Sequence, residues 1–324
     1  MTLRYAGVDY DCRAGETVLD ALLRQDVDAS YSCRNGICLT CIMQCRDGAP
    51  PADSQKGIKD TLRLQGHFLP CLCTPRENLD CEPPNHGEIY GRATFREIEQ
   101  LSPSICRVIL EPATPLYYRA GQFINLRRAD GMVRSYSLAS VPALDKHLEL
   151  HIKRLPRGEM SNWLFHRAEA GDSLEIHGPI GDCFYVPERP ESPLLLIGNG
   201  SGLAPLIGIA RDALASGHTG AIHLYHGTRH REGLYLDATL RALEGAHANF
   251  TYTPCVSGET GKSGRAENVA FAEHPALDGF RVYLCGYPPM VNAAQKTAYL
   301  MGANLDDIHA DPFELRDLRL TSRD

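Results

Sequence analysis

No stretch of this 324-residue chain is apolar for long enough to cross a bilayer. The first residues, MTLRYAGVDYDC, also lack the apolar core of a secretory leader. Both absences lead to one expectation, a cytoplasmic protein with no membrane partner. No basic run stands out either: 33 Lys and Arg are set against 40 Asp and Glu, spread along the chain for a formal net charge of −7. That balance argues against nucleic acid as a partner. There is no internal repeat and no low-complexity tract. With 43% hydrophobic residues and this length, the chain has room for two or three globular domains.

What the sequence does have is cysteine, unevenly placed. Of its 12 cysteines, eight lie in the first quarter: Cys12, Cys33, Cys38, Cys41, Cys45, Cys71, Cys73 and Cys81. In a reducing compartment they read as ligands and buried thiols rather than disulfides. The density marks a separate N-terminal module. Pro83, Pro84 and Gly87 break any helix or strand after it, and the proline-rich VPERPESP at 186–193 makes a second break. The expected domains are therefore 1–88, 89–189 and 190–324. In the first, LRYAGVDYDC reads as two short strands around a turn. GETVLDALLRQ reads as an amphipathic helix with Val18, Leu19, Leu22 and Leu23 on one side.

The stretch SCRNGICLTC follows directly. Its Cys33-x4-Cys38-x2-Cys41 spacing is that of the plant-type 2Fe-2S ferredoxins, and it lacks the two short pairs usual in structural zinc sites. Gly36 suits a loop whose backbone must wrap closely around a small anionic cluster. Cys71, Cys73 and Cys81 are each available as the fourth ligand. The segment resembles the 2Fe-2S ferredoxin family, in which the last ligand sits in a Leu-x-Cys-x-x-x-Pro stretch about thirty residues on. LPCLCTP places Leu69, Cys71 and Pro75 in that pattern, so the resemblance implies Cys71, although Pro70 and Leu72 replace the family's usual flanking residues. It also implies a β-grasp-like α+β domain that carries single electrons.

The second segment has the apolar alternation and turns of a small antiparallel barrel in YYRAGQFINLRRADGMVRSYSLAS, LELHIKR and DSLEIHGPIGDC. RSYS, Arg134 to Ser137, resembles the Arg-x-Tyr-Ser flavin motif of the ferredoxin-NADP reductase superfamily. The resemblance implies that Arg134 neutralises the flavin pyrophosphate, Tyr136 covers the ring system and Ser137 reaches N5. GEMSNWL resembles the family's Gly-x-x-Ser stretch, so Gly158, Met160 and Ser161 are expected to hold more of the pyrophosphate at a helix N-terminus. The pattern fits FAD better than FMN.

The third segment alternates strands and helices, as a parallel α/β sheet does. LLLIGNGSGLAP runs from a strand into a glycine loop. The Rossmann fingerprint fails there, because Pro205 stands at its third glycine position and the next strand, AIHLYHG, does not end in an acid. GSGLAP instead resembles the Gly-Thr-Gly-x-x-Pro loop of the same superfamily, with Ser201 for threonine. Gly200, Gly202 and Pro205 are then expected at the nicotinamide dinucleotide. YLCGYPPM resembles the Cys-Gly-x-Pro signature, which implies that Cys285 and Gly286, followed by Pro288, aim the nicotinamide. IHADPFEL resembles the closing acidic-x-aromatic element, with Phe313 as the ring that packs on the flavin.

The module order resembles single-chain reductase components of bacterial multicomponent oxygenases. That implies an NAD(P)H-dependent oxidoreductase using FAD and a 2Fe-2S cluster, with NADH favoured over NADPH even though Arg229, His230 and Arg231 lie where a 2′-phosphate is met. The partner implied is an oxygenase hydroxylase component or an intermediate electron carrier, and the chain is expected to be a monomer. Two other functions remain open on the sequence: a reductase for a deoxysugar dehydratase, and a non-catalytic ferredoxin-like docking module.

Overall fold

The computed structural model describes residues 2–84, 89–258 and 264–313, which form three sheets in chain order. Gly87, expected at the first break, and the residues after Phe313 lie outside the described residues. In the first module, β1 (Thr2–Tyr5) and β2 (Val8–Asp11) make an antiparallel hairpin. Helix α1 (Val18–Arg24) begins where the Thr17 hydroxyl accepts the Asp20 N–H at 3.1 Å. It buries Val18, Leu19, Ala21 and Leu22, while Leu23 is only partly covered at the edge of that core. With β3 (Met43–Asp47), β4 (His67–Phe68) and β5 (Leu79–Glu82) the strand order is β2-β1-β5-β3-β4, and β1 pairs parallel with β5. A helix packed on such a mixed sheet is the expected β-grasp-like arrangement.

The second module consists of β6 (Gly91–Ser102), β7 (Ile105–Pro112), β8 (Phe123–Arg127), β9 (Val133–Ser137), β10 (Leu148–Lys153) and β11 (Ser173–Ile180). The order is β10-β7-β6-β11-β8-β9, all antiparallel. A bridge between Leu138 and Leu150 joins the end of β9 to β10 and closes the sheet into a barrel. Helix α2 (Asp60–Leu64) belongs to the first module; α3 (Glu159–His166) packs on the barrel core through Met160 and Leu164. That burial fixes where the N-terminus of α3 points.

In the third module β12 (Leu194–Asn199), α4 (Leu203–Ala215), β13 (Ile222–Thr228), α5 (Asp237–Ala246), β14 (Phe250–Val256), α6 (Ala266–Glu273), β15 (Arg281–Gly286), α7 (Pro288–Leu300) and β16 (Ile308–Pro312) alternate. All pairings are parallel, in the order β14-β13-β12-β15-β16. Residues 194–197 are wholly buried, as a central parallel strand covered on both faces requires. The strand order reverses between β12 and β15, and open α/β sheets bind ligands outside the carboxyl ends at such a point. RVYLCGYPPMV, which strand and helix alternation reads as one strand, is not one through its prolines: the strand stops at Gly286, and Pro288 and Pro289 open a helix, where a fixed φ and a missing N–H cost nothing.

Candidate active site

The cysteine loop is held in an unusual backbone shape, with Arg34, Gly36 and Leu39 all at positive φ (58°, 77° and 55°). A Cβ on Gly36 would run into the Leu72 side chain, so the loop closes on the segment carrying Cys71 only because residue 36 is glycine. The turn aims backbone N–H groups at sulfur. Cys33 Sγ accepts the N–H of Cys38 at 3.3 Å and of Asn35 at 3.4 Å, and Cys38 Sγ accepts the N–H of Cys33 at 3.4 Å. Cys41 Sγ stands 3.4 Å from Cys71 Sγ. The Cys38 thiol and these amides draw Cys33 well below the ordinary thiol pKa, and the Cys41 thiol with the Gly36 N–H lowers Cys71 against its burial.

The structure thus gathers Cys33 with Cys38 and Cys41 with Cys71. It leaves Cys73 out: that side chain is fully buried in the hydrophobic core of the first module, where burial pushes its thiol up to about 12. Cys81 is buried with the same consequence. Two thiol pairs with amide donors on sulfur fit a two-iron cluster bound by four thiolates. A single zinc ion needs its ligands at one point, and among the described residues no three such side chains converge that way.

One cavity of about 560 Å³ runs from this loop across the barrel to the third module. Arg134, Tyr136 and Ser137 line its middle, with Gly158, Met160 and Ser161 from the start of α3 on one wall. The elongated space, an arginine and a helix N-terminus suit a dinucleotide with an anionic centre. Ser161 differs from expectation in detail. Its hydroxyl accepts the Leu155 N–H at 3.1 Å and donates to the Gly158 carbonyl at 3.1 Å, so it braces the loop before α3 and leaves the helix N–H groups to face an anion. Ser137 Oγ donates to Asp311 Oδ2 at 3.0 Å, joining barrel to nicotinamide module. Burial, with Asp182 adding repulsion, pushes the Asp311 carboxyl up to about 6 against the pull of the Ser137 hydrogen bond.

At the far end, the carboxyl ends of β12 and β15 form the crevice. A Cβ on Gly202 would strike the Cys285 carbonyl, so glycine is what lets the first turn of α4 sit against β15. Gly200 and Gly202 form the turn before α4, and Pro205 lies in the helix's first turn. Asn199, Ser201, Gly286, Tyr287 and Phe313 face the cavity, and the Phe313 N–H donates to the Gly286 carbonyl at 2.7 Å. Gly200, Gly202, Pro205 and Cys285 do not line it. Cys285 is fully buried, with its sulfur 3.8 Å from that of Cys183, which does face the cavity.

Sequence reasoning missed Asp311, Asn125 and Cys183. The acidic-x-aromatic pattern carries the signal for Asp311, which is its acid, two residues before Phe313. Nothing local marks Asn125, a polar residue between Ile124 and Leu126 whose amide reaches the Cys38 carbonyl, and Cys183 gains meaning only beside Cys285.

Three family models match consecutive parts of the chain: a 2Fe-2S iron-sulfur cluster binding domain over residues 2–76, an oxidoreductase FAD-binding domain over 93–185 and an oxidoreductase NAD-binding domain over 196–296. The chain is 36% identical over 321 residues to the reductase subunit of an aromatic O-demethylase from Amycolatopsis sp., covering 94% of this chain and 95% of that one. It is 32% identical over 318 residues to the reductase component of the naphthalene 1,2-dioxygenase/salicylate 5-hydroxylase systems of Ralstonia sp., covering 94% and 95%. Among solved structures, an Amycolatopsis cytochrome P450 reductase matches with a TM-score of 0.69 at 33% identity, covering 96% of this chain and 98% of the other. The chain belongs to the family of reductase components that carry electrons from NAD(P)H through FAD and a 2Fe-2S cluster to an oxygenase.

Proposed function

We propose that the continuous cavity is the electron route of this reductase and that its wall residues divide the work. Bound FAD supplies hydride acceptance at N5 followed by single-electron release, and the 2Fe-2S cluster supplies one-electron carriage. Arg134 meets the pyrophosphate with Gly158, Met160 and the helix α3 N-terminus behind it, and Ser161 keeps that loop in shape. Tyr136 covers the ring system. Ser137 would present its Oγ to N5 while its hydroxyl hydrogen is held by Asp311; a proton leaving N5 would then pass to Ser137 Oγ as Ser137 passes its own to an ionised Asp311. Gly200, Ser201, Gly202 and Pro205 shape the nicotinamide dinucleotide loop, while Gly286 and Phe313 set the nicotinamide against the flavin, with Cys285 supporting that wall from beneath Cys183. Cys33, Cys38, Cys41 and Cys71 hold the cluster. Module limits of 1–88, 89–189 and 190–324 agree with sheets that end at Glu82, begin at Gly91 and begin again at Leu194.

The partner is an oxygenase hydroxylase component or an intermediate carrier that serves one, as the names of the relatives suggest; the protein works as a cytoplasmic monomer with NADH. Among the described residues no helix is long and apolar enough to cross a membrane. The observation that carries the reading is the single cavity with the Cys33–Cys38 loop at one end and Asn199, Gly286 and Phe313 at the other. Purified protein reconstituted with iron, sulfide and FAD should reduce cytochrome c with NADH, sediment as one 35.7 kDa chain and prefer NADH over NADPH in initial rate. Absence of NADH-driven reduction of cytochrome c and ferricyanide alike would leave a docking module instead.

A further inference from the structure

Asn125 is fully buried in β8, in the apolar run Phe123, Ile124, Leu126. A barrel core gains nothing from an amide there, and a buried amide must find partners. Asn125 finds them in two modules. Its Nδ2 donates to the backbone carbonyl of Cys38 at 2.8 Å, across 87 residues of sequence, and its Oδ1 accepts the Ser135 hydroxyl at 2.7 Å. Ser135 stands between Arg134 and Tyr136. Around this pair of bonds, Phe123 and Ile180 pack directly on Cys33 and Cys38. Cys41 and Cys71 belong instead to the core of the first module. The two thiol pairs are therefore not equivalent: the Cys33–Cys38 pair is seated on the barrel.

We propose that Asn125 is a positioning residue that docks the cluster loop onto the flavin strand, making the Cys33–Cys38 side the entry point for electrons from the flavin. Electron tunnelling falls exponentially with distance, so a loop free to lift from the barrel transfers only during the fraction of time it is seated. The hydrogen bond joins two buried residues, and leaving the Cys38 carbonyl unpaired favours the lifted state. Ser135 orients the amide so that its N–H, rather than its oxygen, faces Cys38. This rests on placing the flavin along residues 134–137.

The test uses the full-length protein carrying FAD and cluster. Asn125→Asp keeps an acceptor for Ser135 and sets a carboxylate oxygen against the Cys38 carbonyl; Asn125→Ser, a milder change, is too short to reach it. In anaerobic stopped-flow with NADH, flavin reduction should be unchanged in both, while flavin-to-cluster transfer falls about tenfold or more, the population change expected from one lost buried hydrogen bond. Deuterium uptake by the 32–41 segment should rise before any turnover, and the visible spectrum of the cluster should stay the same. Unchanged transfer and unchanged exchange, with flavin retained, would overturn the proposal. Equal slowing of flavin reduction and transfer would reduce Asn125 to a general core amide, and loss of bound flavin would overturn the placement of the cofactor on which it rests.

Discussion

Replacing Asp311 by asparagine should make the protein more stable and less active, each with its own pH dependence. The carboxyl ordinarily titrates near 3.8 and is held here at about 6, chiefly by burial. A folded-state pKa raised above the unfolded value contributes stability that is complete below about pH 4 and is lost as pH rises through 6. Moving from 3.8 to about 6 is worth at most about 3 kcal/mol. The substituted amide titrates nothing and still accepts the Ser137 hydroxyl, so the variant should match the wild type near pH 4 and gain up to that amount above pH 6. In thermal melts this appears as a difference that opens between pH 4 and 6 and reaches on the order of 5 °C. Activity should move the other way. Asp311 is the carboxylate in contact with Ser137, and NADH–cytochrome c activity should rise as it ionises through pH 6. In Asp311→Asn the rate should fall about a hundredfold, the usual contribution of a positioned base, and this inflection should disappear. Equal melting temperatures across the range, or an inflection that survives the substitution, would refute the reasoning.

Cys71→Ser should abolish or destabilise the cluster, whereas Cys73→Ser should keep the cluster spectrum and cost only core stability, because it is the Cys71 sulfur that meets Cys41 Sγ while the Cys73 thiol hydrogen-bonds with Ser54; bleaching by Cys73→Ser alone would reverse the assignment. Removing residues 1–88 should leave a flavoprotein that oxidises NADH with ferricyanide but reduces cytochrome c poorly, and equal loss with both acceptors would mean the flavin half does not work independently. Residues 1–88 carry 9 Lys and Arg against 13 Asp and Glu. Transfer to the native acceptor should therefore fall steeply between low and physiological ionic strength while ferricyanide reduction changes little. A flat salt profile would point to an apolar contact, with the exposed Ile37 as the first residue to substitute.

Much of this architecture was legible because it is written in local patterns. Thr17 followed by Val18, Leu19 and Leu22 specifies a capped helix with one apolar face, and the short apolar run 194–197, ended by a glycine loop, reads as a doubly buried strand. The cysteine spacing is a local constraint of the same kind, and it led to the thiols that now stand in two pairs. What was not legible arises between segments distant in sequence. Ser137 and Asp311 are 174 residues apart, and Asn125 and Cys38 are 87 apart; each acquires its role from a contact between modules that no spacing encodes. Strand β16 is not legible because IHADP is short and gains its place by pairing with β15, nor is α6, because AENVAFAE has a weak apolar face. Cys285 was placed on the right strand end, yet only packing reveals that it lies beneath the cavity surface behind Cys183.

The central claim is the order of the route: nicotinamide crevice, flavin strand, Cys33–Cys38 loop. The most direct test is anaerobic stopped-flow mixing of the intact protein with one equivalent of NADH, following flavin and cluster absorbance together. Flavin absorbance should fall first, at a rate that depends on NADH, and cluster absorbance should follow at a rate that does not. Arg134→Ala should weaken FAD retention and lose both phases in proportion to the flavin lost. Cluster bleaching that precedes the flavin phase, or that persists in protein stripped of flavin, would contradict the account.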